Sequence, residues 1–171
     1  SGGVLILKGT TQALVAPGSV LNVGALKVAA SATNRLSPNT GSISGGAVGV
    51  GAGLGFGYNQ STVRAWVGQT DTGASAPTTR TTVNTNGAVN ITADSSTGIL
   101  ANSVSASGGG VAVAGATNLI LLENVTEAGA RFTDFGSSGS RAGSLTIHAK
   151  DTLNALLNAG SAGVGAVSVG G

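Results

Sequence analysis

Hydrophobic and small positions alternate with period two along residues 46–58, which read GAVGVGAGLGFGY. In an extended strand Val48, Val50, Ala52, Leu54, Phe56 and Tyr58 share one face, and Gly49, Gly51, Gly53, Gly55 and Gly57 share the other. Residues 110–122 repeat the alternation with smaller side chains, Ala112, Ala114 and Ala116 lying opposite Val111, Val113, Gly115 and Thr117. The larger face is expected to fill a core, and the glycine face to let a second backbone approach closely. A strand of this kind is weak alone, because glycine loses much conformational entropy and defines register loosely. It needs neighbours stacked on it. Turn-rich segments at 31–40, 69–82, 94–98 and 134–143 separate the apolar runs, which predicts short strands at even spacing.

A longer period lies over this alternation. The phrase Gly24-Ala25-Leu26-Lys27-Val28-Ala29-Ala30 returns as Gly87-Ala88-Val89-Asn90-Ile91-Thr92-Ala93 and as Gly143-Ser144-Leu145-Thr146-Ile147-His148-Ala149, offset by 63 and then 56 residues. Each copy leads through a polar stretch into a glycine-rich apolar run, at 46–58, 110–122 and 163–170. The opening Val4-Leu5-Ile6-Leu7 resembles Leu119-Ile120-Leu121-Leu122, so it reads as the tail of an earlier unit. Imperfect repeats are therefore expected at 1–23 (partial), 24–86, 87–142 and 143–171 (partial), a window on a longer array. With coils of roughly 20–30 residues rising about 4.8 Å each, every unit would be two or three coils and the chain about six to eight.

Composition narrows the choice. Thirty of the 171 residues are glycine and only 14 are charged, which disfavours helices and any globule packed by large side chains. Glycine does not recur at every third position and there are three prolines, so collagen is excluded. The 41% hydrophobic content and net charge of +2 do not fit a disordered chain. Residues 36–63 and 95–122 carry no charge, yet Asn, Ser, Thr and Gly interrupt them too often for a membrane helix. Ser1 reads as a cut or processed end with no leader after it, and without cysteine there is no disulfide framework or thiolate metal site. The eight basic residues are scattered rather than gathered in a stripe with aromatics, so nucleic acid is not an expected partner.

The alternation of GxLxIxA-type phrase, polar stretch, GVGVG-type run and Asn/Thr-rich turn resembles the passenger regions of bacterial filamentous adhesins. These are the filamentous-haemagglutinin type, the leukotoxin-family filamentous adhesins and related autotransporter passengers. The motifs that carry the resemblance are residues 87–93 with 110–126 and 24–30 with 46–67, and the repeats cover nearly the whole chain. It implies a right-handed parallel β-helix, export across an outer membrane, and a role in adhesion or as a surface stalk.

Candidate chemistry is sparse. The single histidine, His148, occupies a slot filled by Ala29 and Thr92 in the other copies, which indicates a tolerant surface position. The acids Asp71, Asp94, Glu123, Glu127, Asp134 and Asp151 are separated apart from Glu123 and Glu127, and no calcium-binding repeat or EF-hand loop is present. The glycine runs lack the following helix or the Gly-Lys-Ser/Thr of a phosphate-binding loop. Sequons at Asn59, Asn90 and Asn124 are candidate glycosylation sites, at a number that composition alone supplies. Phe56, Tyr58, Arg64 and Trp66 form either an aromatic sugar-binding spot or, as the alternation suggests, an aromatic plug in the core. Thr78-Thr79 and Thr81-Thr82 hint at an antifreeze-type face, but no regular TxT ladder supports it.

The sequence thus reads as one all-β segment, a right-handed parallel β-helix (β-solenoid), from a large cell-surface or secreted bacterial fibrous protein. It is expected to be non-enzymatic, without cofactor or metal, and to act as a rod presenting multivalent contact surfaces to cell-surface molecules or glycans, with end-to-end or lateral self-association. The alternatives are a non-adhesive extracellular filament protein and a polysaccharide-active β-helix enzyme.

Overall fold

A computed structural model describes residues 1–70, 75–137 and 140–170. Asp71, in the turn-rich segment at 69–82, lies outside the described residues. The described chain is all β, without helices: β1 (Gly2–Val15), β2 (Val20–Asn22), β3 (Leu26–Leu36), β4 (Asn39–Gly45), β5 (Val48–Gly68), β6 (Thr81–Asn84), β7 (Ala88–Arg131), β8 (Thr133–Ser137), β9 (Ser140–Arg141) and β10 (Ser144–Gly170). Every pairing is parallel except that of β8 with β9. Parallel neighbours need a long connection. Here that connection is made of further strands and corners.

The register ties the fold to the repeats. Leu26 pairs with Val89 and Val89 with Leu145, so the three copies of the repeated phrase lie side by side. Val48 pairs with Val111, and Gly2 with Leu54, in the same parallel sense. Stacked neighbours are therefore 52 to 63 residues apart, and not the 20–30 residues expected of compact coils. The reason lies in β5 and β7, which are 21 and 44 residues long. The turn signals read from the sequence after Ala93 bend the strand without ending it, so far fewer and larger circuits accommodate the same length.

The corners are places where backbones touch. A Cβ on Gly87 would collide with the carbonyl oxygen of Gly24, and one on Gly143 would stand 2.9 Å from that of Asn86. This explains why glycine heads the second and third copies of the phrase; at Gly24, which heads the first, a Cβ would meet nothing. Gly46 and Gly109, 63 residues apart, both adopt positive φ, 141° and 155°, where L side chains are strained. Gly109 lets β7 double back, so Ser103, Ser105 and Ser107 face inward on one arm and Ala112 and Ala114 on the other, all of them buried.

Two interiors result. One is a Val, Ile and Ala core formed by Val28, Ala30, Val63, Ala65, Val67, Val83, Val89, Ile91 and Ala93. The other is thin, holding Leu36, Ile99 and Ala101 before it narrows between β5 and residues 102–108 of β7. In the narrow part a Cβ on Gly49 would be 2.6 Å from the Gly108 carbonyl oxygen, and one on Gly51 2.8 Å from that of Ala106. The glycine face is buried, as expected, and lets the two backbones meet. The other face was expected to be the core and is not: Val48, Val50 and Leu54 are exposed, and Phe56 and Tyr58 are half-buried on the outer surface. A strand with glycine on one side buries whichever face fits the available gap, and here the gap is one backbone wide.

Candidate contact surface

The outward face of β5, flanked by β1 and β7, carries aliphatic, aromatic, amide and charged side chains. Register places them in rows across three strands: Val4, Phe56 and Leu119; Ile6, Tyr58 and Leu121; Lys8, Gln60 and Glu123; Gln12, Arg64 and Glu127; Leu14, Trp66 and Gly129. The aromatic plug anticipated in the core is instead part of this surface. Period-two alternation correctly put Phe56 and Tyr58 on one face, and only the packing decided which face was wet.

Hydrogen bonds hold the middle of the surface. Tyr58 Oη donates to Glu123 Oε2 at 2.8 Å, and Gln60 Nε2 donates to the same oxygen at 3.1 Å. Lys8 Nζ stands 5.6 Å from the centroid of the Tyr58 ring, within cation–π range. Arg64 Nε forms an ion pair with Glu127 Oε2 at 2.9 Å. The Tyr58 phenol is raised above its ordinary 10.0, chiefly because it donates to Glu123, with desolvation and the carboxylate charge adding to that hydrogen bond. Lys8 and Gln60 were not singled out in the sequence, and Glu123 was noted only as an acid near Glu127. The offset of 63 would have found part of this set, since it puts Gln60 on Glu123 and Arg64 on Glu127.

The remaining candidates are dispersed. Glu123 and Glu127 lie four residues apart on one strand, roughly 13 Å at the rise of a β-strand. That exceeds the separation at which two carboxyl groups share a glycosidic bond. Asp134 is engaged by Arg80, whose Nε and Nη2 each donate to it at 2.8 Å, and the guanidinium holds its carboxyl below the usual range. His148 is exposed on β10, beside Thr92. Of the sequons, Asn90 is on the outer face between Lys27 and Thr146. Asn59 is fully buried, with Nδ2 donating to Asn124 Oδ1 at 2.7 Å, while Asn124 Nδ2 donates to Thr97 Oγ1 at 3.1 Å. These two asparagines serve as interior cross-strand ties.

Other asparagines form ladders along the stacking direction. Asn102 Nδ2 donates to Asn39 Oδ1, and Asn158 Nδ2 to Asn102 Oδ1, each at 2.9 Å, while Asn84 Nδ2 reaches Asn22 Oδ1 at 2.8 Å. In-register amide ladders of this kind add side-chain hydrogen bonds to those of the backbone. No helix among the described residues is long and apolar enough to cross a membrane, and the two uncharged runs are strands. No family model, curated protein or solved structure matches this chain.

Proposed function

We propose that this chain is a stretch of a right-handed parallel β-solenoid rod, belonging to a secreted or surface-anchored bacterial fibrous protein of the filamentous-adhesin kind. The observation that carries the reading is the in-register stacking of the repeated phrase, Leu26 on Val89 on Leu145. Such an array grows by adding circuits, each contacting only its neighbours, and gains length without a larger core. Across the stacked copies the row of Leu26, Val89 and Leu145 stays aliphatic, while the outward row of Lys27, Asn90 and Thr146 varies.

Contact with a partner is assigned to the outer rows from Val4 to Trp66. They combine exposed aliphatic side chains, three half-buried aromatic rings and hydrogen-bonding groups, a mixture suited to sugar rings, which offer both apolar faces and hydroxyls. Each contact is weak, and repetition along a rod supplies avidity. The test is binding of the immobilised segment to a glycan array and to whole cells, beside a Tyr58→Ala/Trp66→Ala variant. The reading expects multivalent binding that the double variant loses by tenfold or more. Absence of binding by both proteins would favour the second reading, a non-adhesive filament, to which the exposed apolar residues at the ends of the stack point: Val4 and Ile6 at one, Leu145 and Ile147 at the other.

A further inference from the structure

We propose that two rods of this kind pair side by side through a stripe of valines on the outer face of the sheet, a seam that repeats with every circuit. The seam rests on the rod reading above. Register sets Val48, Val111 and Val167 in one row across β5, β7 and β10, and Val50, Val113 and Val169 in the next outward row. These six side chains are 40–66% exposed. Val111 and Val113 have a strand on either side, so their exposures of 42% and 40% do not depend on where the chain begins or ends. In a longer rod each circuit adds one more such pair to the stripe.

Outward rows elsewhere change from circuit to circuit. Lys27, Asn90 and Thr146 share one, Ser31, Asp94 and Lys150 another, and Ile43, Ala106 and Ala162 a third. Among the described residues one further outward row across three strands keeps a single residue, that of Asn39, Asn102 and Asn158, and there the amide ladder supplies the reason. The valine rows have no such bond. Between them the inward row differs at every step, as Gly49, Ala112 and Ser168. Strand propensity favours valine, but it favours threonine and isoleucine as well and would not choose one residue six times. An apolar stripe kept constant where water would accept a polar residue marks a surface that something covers.

The occupant that fits is a second rod. The stripe advances by one strand spacing, about 4.8 Å, per circuit, so a partner must offer apolar groups at that interval along the same axis. Another rod of this sequence does so by construction. A stable contact takes about 800 Å² from each partner, and two valines per circuit reach that only over many circuits, which a long array supplies and a compact protein does not. Charge agrees with this. Residues 36–63, 95–122 and 152–171 contain no Asp, Glu, Lys or Arg, and register stacks these stretches on one another, so the part of the rod that carries the stripe brings no charge to the seam when like meets like. A two-fold axis between the rods sets the same patch on both sides. The branched side chains of one rod then fit between those of the other, as in the dry interfaces of paired sheets.

Thiol cross-linking of the 171-residue chain tests this. The chain has no cysteine, so Val111→Cys supplies a single thiol, and a short bismaleimide matched to the roughly 10 Å between packed sheets reports whether it meets its counterpart. The control is Val104→Cys, 57% exposed on the other arm of β7. At equal concentration Val111→Cys is expected to give at least tenfold more covalent dimer than Val104→Cys, and adding Val113→Lys to Val111→Cys should lower its yield at least tenfold. All of these side chains are exposed, so far-UV circular dichroism should show one β-sheet spectrum throughout. End-on association displaces every residue equally and would trap both thiols alike. Equal yields at the two positions, no dimer at either, or a yield that Val113→Lys leaves unchanged would each overturn the seam while leaving the rod intact. Binding to phosphatidylglycerol vesicles that depends on Val113, without a trapped dimer, would give the stripe to a lipid surface and overturn it too. Loss of the β-sheet spectrum in the wild type would overturn seam and rod together. The seam variants keep Tyr58 and Trp66, so glycan binding stands or falls separately.

Discussion

Trp66 lies over Gly129, its register partner on the neighbouring strand, so closely that a Cβ on Gly129 would stand 2.7 Å from two carbons of the indole. The glycine leaves a hollow in the outer face and the indole fills it, which covers strand backbone that would otherwise be wet. Gly129→Ala should lift the ring. Because Trp66 is the only tryptophan, its emission reports the event directly, and a shift to longer wavelength is expected. The stability change should stay below about 1 kcal/mol, since replacing a strand glycine recovers backbone entropy that offsets the lost contact. An unchanged emission maximum would show that the ring is not seated on that glycine.

The narrow interior is less forgiving. At Gly51 an added side chain meets the carbonyl of Ala106, which is backbone and cannot swing aside. Gly51→Val should therefore cost about 2–3 kcal/mol through overpacking, visible as a lower midpoint in chemical denaturation. Ala52→Val, one residue along and pointing outward, should change the midpoint very little. Equal effects at the two positions would contradict the assignment of faces.

Asn59 ties two strands from the inside. Asn59→Ala removes the donor to Asn124 and should destabilise the chain by about 1–3 kcal/mol. The same burial governs modification. If the folded protein is exposed to a glycosylating system, intact-mass and peptide analysis should find any glycan on Asn90 and none on Asn59, whose side chain is enclosed. A glycan on Asn59 would require the strand to be unpaired there.

Tyr58 is the sole tyrosine, so its ionisation can be followed by ultraviolet absorbance without interference. The hydrogen bond to Glu123 favours the neutral phenol, which places the folded midpoint above 10.0. Its contribution to stability is therefore complete below the ordinary tyrosine pKa and is lost as pH rises through the folded value. Glu123→Ala should bring the midpoint back toward the ordinary value.

The ion pair of Arg80 and Asp134 works in the opposite direction. Since Asp134 is held below the usual carboxylate range, what the pair contributes is present above that range and fades as pH falls through the folded value. Both groups are at the surface and salt screens them, so Asp134→Asn should flatten the acid limb of the stability curve only slightly, and less still at high ionic strength.

Much of this molecule is readable along one dimension. The repeat offsets of 63 and 56 are the pairing intervals of β3 with β7 and of β7 with β10, because stacking equivalent residues lets like side chains and amide ladders meet. The alternation at 48–58 correctly separated a glycine face from a larger face, since a strand turns its side chains to opposite sides whatever surrounds it. Neither observation contains the third dimension. Which face of β5 is inside depends on the gap left by residues 102–108, and that is a property of where β7 doubles back at Gly109. The length of each circuit likewise depends on whether a polar segment bends a strand or ends it, which its own residues do not decide. The sequence alone determined that the chain is β, repetitive and stacked in parallel register. Only the tertiary structure decided that the glycines of β5 face inward and its aromatics outward, because two backbones in contact leave no room between them for anything larger than a hydrogen.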